Sequence, residues 1–190
     1  MLPLIVVAGV AAVVVLWAVV SFNRFVSQRQ LIDNSWSNVE TELRRRYDLV
    51  PNLVQTVAGY ADHEQETLTE VIEARSGARE NHGSPADQAG AENVLVDGLR
   101  HLMAVSEAYP ELVASEHFLD LQRQLVTTED RIQASRRLFN GNVRDYNRRT
   151  EAVPSRFIAA LARFERAEYF EIEEAVRQVP TLRPSSRSTS

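Results

Sequence analysis

His63 and Glu64, adjacent in "DHEQE", are the residues of this chain whose types come nearest to hydrolytic chemistry. A helical H-E-x-x-H sets two zinc ligands one turn apart with a glutamate base beside them. Thr67 stands where the second histidine is needed, so that face lacks a ligand. His82 and His101 have no partner at ligand spacing, and His117 has only its neighbour Glu116. G-x-S-x-G, the P-loop and G-x-G-x-x-G are absent, and the seven glycines are scattered. The carboxylates of "DHEQE" and "FEIEE" read as solvated helix faces. No catalytic residue, cofactor-binding residue or metal ligand is therefore assigned, and no cofactor is expected.

Composition narrows the classes further. The formal net charge is -5, and all 21 basic residues are arginines spread along the chain. Nucleic acid is not an expected partner, because neutralising phosphates takes a concentrated basic face. The absence of cysteine removes disulfides, thiol catalysis, thiolate metal sites and a lipid-modified cysteine together.

The segment Leu2–Val20, "LPLIVVAGVAAVVVLWAVV", is uncharged and close to the ~20 residues a helix needs to cross the hydrocarbon core. It begins without a basic n-region and ends without a small-x-small cleavage site, so it reads as a retained anchor over residues 1–23 that engages the lipid bilayer, not as a cleaved signal. Trp17 and Phe22 lie near its exit. Arg24 and Arg29 follow it closely, which by the positive-inside bias puts the rest of the chain in the cytoplasm of a single-pass, inner-membrane protein.

Beyond the anchor, apolar residues recur as Ile32, Trp36, Val39, Leu43, Tyr47, Val50, Val54, Val57, Ala61, Leu68 and Ile72, in helical phase throughout. This predicts one very long helix. Pro51 either kinks it or restarts it with Asp48 as N-cap. Residues 76–90 are polar and small and predict a loop. A second helix carries Ala91, Leu95, Leu99, Leu102 and Tyr109 as far as Pro110, and a long third, capped by Ser115, carries Phe118, Leu121, Leu125, Ile132, Phe139, Val143 and Tyr146. Gly141 costs that helix about 1 kcal/mol relative to alanine without ending it. A shorter helix starts at Pro154, after which "EYFEIEE" packs Phe170 and Ile172 on the core. Residues 176–190 read as a disordered tail. The class is all-α, with residues 24–175 forming an antiparallel, up-and-down four-helix bundle whose first and third helices are very long.

Two sets of polar residues stand out against these helices. At about 100° per residue, Arg46 and Glu64 point toward the core from the first helix, as do Glu129, Arg136 and Asn147 from the third. If those helices run parallel, Arg46 meets Glu129 and Glu64 lies level with Asn147, a buried polar network that fixes register; the alternative is that the long side chains snorkel to the surface. Arg45, Asp48, Asn52, Gly59 and His63 fall on the opposite side, about 140–200° from Leu43. They form either a face for a protein partner bent by Pro51 or an ordinary solvated face.

The motifs "RRYDLVPNLV", "GYADHE", "EAYPELVASEHFLDLQRQL", "TEDRI", "RRLFNGNVRDYN", "VPSRFIA" and "EYFEI" resemble, in order and spacing, the LemA family of bacterial membrane-anchored proteins. Gly141, Phe139 and the segment before "ETELRRR" depart from the family pattern. The resemblance implies one N-terminal membrane helix followed by an antiparallel helical bundle, and no established enzymatic activity. Three function classes follow: a membrane-tethered, non-enzymatic scaffold or interaction protein, which leads; an adaptor or sensor in envelope stress or signalling; and, last, a hydrolase. The bundle surface also admits homo-oligomerisation.

Overall fold

The computed structural model describes residues 1–61 and 63–172. The expected tail at 176–190 lies outside the described residues, as do the last three residues of the expected bundle. Six helices and no strand occur among the described residues: α1 (Leu2–Ala58), α2 (Gln65–Glu80), α3 (Pro85–Ser106), α4 (Pro110–Val113), α5 (Glu116–Glu151) and α6 (Ser155–Ala162).

α1 runs unbroken for 57 residues, about 85 Å at 1.5 Å per residue. Its apolar N-terminal part, with a mean hydropathy of 2.8 over its best window, is long and apolar enough to cross a membrane and is almost wholly unburied by the rest of the chain. The expected boundary between residues 23 and 24 falls inside this helix, so the apolar segment and the first core helix are one rod. Pro51 lies within it, which decides for continuity over a restart at Asp48. Proline supplies no N–H to the carbonyl four residues back, so the Tyr47 carbonyl loses its helical donor. Arg75 of α2 replaces it, with Nε donating to the Tyr47 oxygen at 2.6 Å.

The helix expected to continue to Ile72 instead ends at Ala58, with Gly59 as C-cap. The chain then reverses and α2 begins at Gln65. Phase carried across the break because both arms of a helical hairpin bury an apolar face in the same core: Val50, Leu53 and Val57 from α1, Leu68 and Val71 from α2. The extra hairpin also overturns the expected parallel relation of the two longest helices. Phe25 packs on Tyr146, Trp36 on Phe139, and Arg46 on Glu129, so position rises along α1 as it falls along α5, and the pair is antiparallel.

The loop expected over 76–90 shrinks to residues 81–84. Its end is a helix start: Ser84 accepts from the Asp87 N–H, Asp87 accepts from the Ser84 N–H, and Pro85 occupies the first turn. α2 then packs closely on α3 at Gly98, where an added Cβ would sit 3.3 Å from a Val71 methyl. α3 ends at Ser106 and Tyr109 becomes the N-cap of the one-turn α4, so the second helix stops short of the expected Pro110. Ser115 caps α5 as expected, accepting from the Phe118 N–H at 3.1 Å, and Gly141 sits inside that helix without ending it.

Residues 163–172 follow α6 as irregular chain laid along α5. Phe170 is buried, as the sequence leads one to expect. It packs edge-on against Trp36, while Asn140 both accepts from its N–H and donates to its carbonyl. The main core joins α1, α2, α3, α5 and this segment, and a smaller one gathers Phe25, Tyr146 and Ala159 where α1 leaves its apolar part.

Candidate functional site

Midway along the helices, ionisable side chains lie where only apolar ones are cheap. Arg46 of α1 is wholly buried, and its Nη1 donates to Glu129 Oε1 of α5 at 2.8 Å. Its Nη2 donates to Glu92 Oε2 of α3, also wholly buried. The other Glu92 oxygen accepts from the Tyr47 hydroxyl and from Gln88 Nε2. Gln88 Nε2 also reaches the Ala78 carbonyl of α2 at 2.9 Å. One connected set thus touches α1, α2, α3 and α5.

Electrostatics explain why it can persist. Burial, the largest influence on Arg46, disfavours its charge, but the charges and hydrogen bonds of Glu129 and Glu92 outweigh it and raise its pKa above the ordinary arginine value. Burial first, and the Glu92 charge second, push the Tyr47 phenol well above its usual range, so it stays a protonated donor. The set joins one guanidinium to two carboxyl groups, and among the described residues Arg46 Nε and Glu129 Oε2 find no hydrogen-bond partner. Such a set costs more to assemble than apolar packing, and its geometry is exacting: the guanidinium fork donates to its two carboxylates at one level only.

The expected network is realised in part. Arg46 and Glu129 pair as expected, although the premise of parallel helices fails. Positions 25, 36 and 46 of α1 face 146, 139 and 129 of α5 in turn, so it is the antiparallel order that brings the pair level. Glu64 and Asn147 do not meet: Glu64 is the N-cap residue of α2, whereas Asn147 lies beside Tyr146 at the Phe25 end of α1. Asn147 is buried and holds Ala167 through both its carbonyl and N–H, and Arg136 Nη1 donates to the Ile172 carbonyl at 2.8 Å. These two side chains secure the irregular segment, not the central cluster. Glu92, Gln88 and the Tyr47 hydroxyl were missed. The signal was present: Gln88, Glu92, Leu95 and Leu99 are spaced by four, three and four residues along one stripe of α3, hidden by reading 76–90 as a loop.

Arg45, Asp48 and Asn52 are exposed on α1, and Arg45 Nε lies 3.4 Å from Glu42. Gly59 and His63 fall at and beyond the end of α1, so the outward line expected through all five stops at Asn52. A Cβ at Gly59 would touch only carbonyls of its own helix, at 3.5 Å and beyond. Asp48 borders an open cleft of about 400 Å³ between α1 and the α2–α3 turn, walled also by Trp36, Arg44, Arg79 and His82 and floored by Tyr47 and Gln88. Among the described residues no three histidine, aspartate or glutamate side chains are grouped to hold a metal ion.

An all-helical chain with a projecting apolar rod and a locked polar centre is the class this geometry defines. The chain belongs to the LemA family, whose pattern matches residues 35–183. It is 28% identical over 190 aligned positions to Magnetosome protein MamQ 1 and MamQ 2 of Paramagnetospirillum magneticum, an alignment that covers 86% of this chain and 69% of each relative. MamQ of Magnetospirillum gryphiswaldense shows the same identity and coverage. Protein LemA of Metamycoplasma hominis is 25% identical over 129 positions, covering 66% of this chain and 57% of that protein.

Proposed function

We propose that the chain is a membrane-anchored, non-enzymatic scaffold at the bacterial cell membrane. In this reading the four long helices form an up-and-down bundle held off the bilayer on a single span and presented to a protein partner. The observation that carries the reading is the unbroken α1: Leu2–Ala58 joins the apolar segment to the core as one continuous helix, so the bundle stands at a set height along that rod. The buried charged cluster supports it, since it keeps the surface of the helices in one register. The relatives named Magnetosome protein MamQ carry no reaction in their names, which is consistent with such a role.

Arg24 and Arg29, just past the apolar run, favour the cytoplasmic side for the bundle. Single cysteines in the 81–84 turn should resist an impermeant thiol reagent in intact cells and react after lysis; labelling before lysis would reverse the orientation. The partner face proposed is Arg45, Asp48 and Asn52. Photocrosslinkers at Asp48 and Asn52 should give the same discrete adduct, and one at Leu138, exposed on α5, should not; identical adducts from all three positions would remove the proposed face.

The cleft favours a second reading, an adaptor or sensor. A ligand lodged there would touch Tyr47 and Gln88, which belong to the cluster that sets helix register.

A further inference from the structure

Among the described residues, the apolar side chains on the face of α6 turned away from the core are left exposed. Phe157 is 65% exposed, Leu161 85% and Val153, just before the helix, 70%. Phe157 and Leu161, four apart within the helix, share one stripe, and Val153 lies exposed in the turn before its N-cap, Pro154. The opposite face is anchored: Ala159 is buried with Phe25 and Tyr146, and Phe164 stacks on Phe25 at 4.8 Å and meets Phe22 at 5.5 Å. α6 is therefore fixed to α1 at residues 22–25.

Those residues mark a particular height. Counting 1.5 Å per residue from Val20, Phe22 and Phe25 lie about 3–8 Å past the end of the apolar run. The headgroup layer on each side of a bilayer is about 5–8 Å thick. Exposed arginines lie at the same end of the bundle, Arg156 on α6, Arg163 at its C-cap and Arg24 and Arg29 on α1, and the Arg29 guanidinium lies 6.0 Å over the Phe164 ring. Of the acidic residues nearby, Glu151 is paired with Arg166 at 3.0 Å, Asp33 and Glu165 line a groove with Arg29, Arg163 and Arg166, and Asp145 lines another with Arg148 and Arg149. An apolar stripe with arginines at the same end of the bundle, held at headgroup depth, has the composition of a helix lying in the interface of an anionic membrane.

We propose that α6 is a second membrane contact, an interfacial helix that inserts Val153, Phe157 and Leu161 among the lipids beside the span of the same chain. It rests on the anchoring reading above. With two contacts, a span and a footplate joined through Phe22, Phe25 and Phe164, the bundle can neither rotate about the span nor tilt freely from the membrane normal. This deepens the scaffold reading, because orientation joins height among the quantities the fold sets.

The chain has no cysteine, so single labels are straightforward. The full chain is reconstituted in vesicles of phosphatidylcholine and phosphatidylglycerol, with an environment-sensitive fluorophore on Val10→Cys, Val153→Cys, Leu161→Cys or Val94→Cys. Val94 is 58% exposed on α3 and close to the level of Arg46, roughly 40 Å past Val20. Headgroup-nitroxide and shallow acyl-nitroxide lipids should quench the labels at 153 and 161 and blue-shift their emission, while 94 behaves as in water. Deep acyl nitroxides should quench 10. If 10 is quenched and 153 and 161 match 94, α6 is not interfacial although the anchor stands. If 10 is not quenched, the anchoring reading fails and this one with it. Phe157→Glu with Leu161→Glu, whose exposed positions leave helix content by circular dichroism unchanged, should abolish quenching of the 153 label. Persistence of that quenching overturns the proposal, as does excimer formation between pyrene labels at 161 that replaces lipid contact, which would make the occupant a second copy.

Discussion

Replacing Arg46 with methionine is the sharpest perturbation of the central cluster. The new side chain fills much of the space but leaves Glu92, wholly buried, and Glu129, nearly so, facing each other with no cation between them. Removing one partner of a buried ion pair costs about 3–5 kcal/mol, against a total stability of roughly 5–15 kcal/mol for a domain of this kind. With a urea dependence of about 2 kcal/mol per molar, the unfolding midpoint should fall by about 1.5–2.5 M. The assay is equilibrium unfolding of the full chain in mild detergent, followed by circular dichroism. Adding Glu92→Gln and Glu129→Gln to Arg46→Met should restore most of the loss, because the cost arises from stranded charge, and the amide oxygen that Glu92→Gln introduces can still accept from Tyr47 and Gln88. A single-substitution cost under about 1 kcal/mol, or a triple variant no more stable than the single, would refute the assignment of this cluster as a charge-matched lock.

Tyr47 makes stability fall with alkali. Its folded-state pKa is raised by burial and then by Glu92, so the native state keeps a proton that the unfolded chain releases above about pH 10. The contribution is therefore whole below about pH 10 and declines above it, by up to about 1.4 kcal/mol per pH unit. Tyr47→Phe should flatten that decline, with Tyr146, raised by burial, leaving a residual slope. Arg75→Met should cost about 1–3 kcal/mol by stranding the Tyr47 carbonyl; in a Pro51→Ala background, where the helix regains its own N–H, thermal unfolding should show a smaller cost, and equal costs would disprove the compensation. Asn147→Ala should free the Ala167 N–H it holds at 2.8 Å, seen as faster hydrogen exchange at Ala167 with little change at α3 amides.

Local chemistry was enough for much of this architecture. Leu2–Val20 needs no partner to be a helix suited to lipid, Ser115 needs only the next three residues to cap α5, and the stripe from Phe118 to Tyr146 states one buried face by its period. Arg46 and Glu129 were legible as inward charges because phase along a helix is a property of spacing alone. Chain reversal was not legible. Phase persists from Val57 to Leu68 whether the helix continues or turns back, and only packing decides, because α2 can bury Leu68 and Val71 against Leu95 and Leu99 when it folds onto α3. That one reversal changed α5 from parallel to antiparallel and moved Asn147 from the level of Glu64 to that of Ala167. It also set Arg75 beside a carbonyl that Pro51, far nearer in sequence, had left without a donor. Which charge neutralises which is a matter of distance between helices, and the chain acquires those distances only when its apolar faces close on one another.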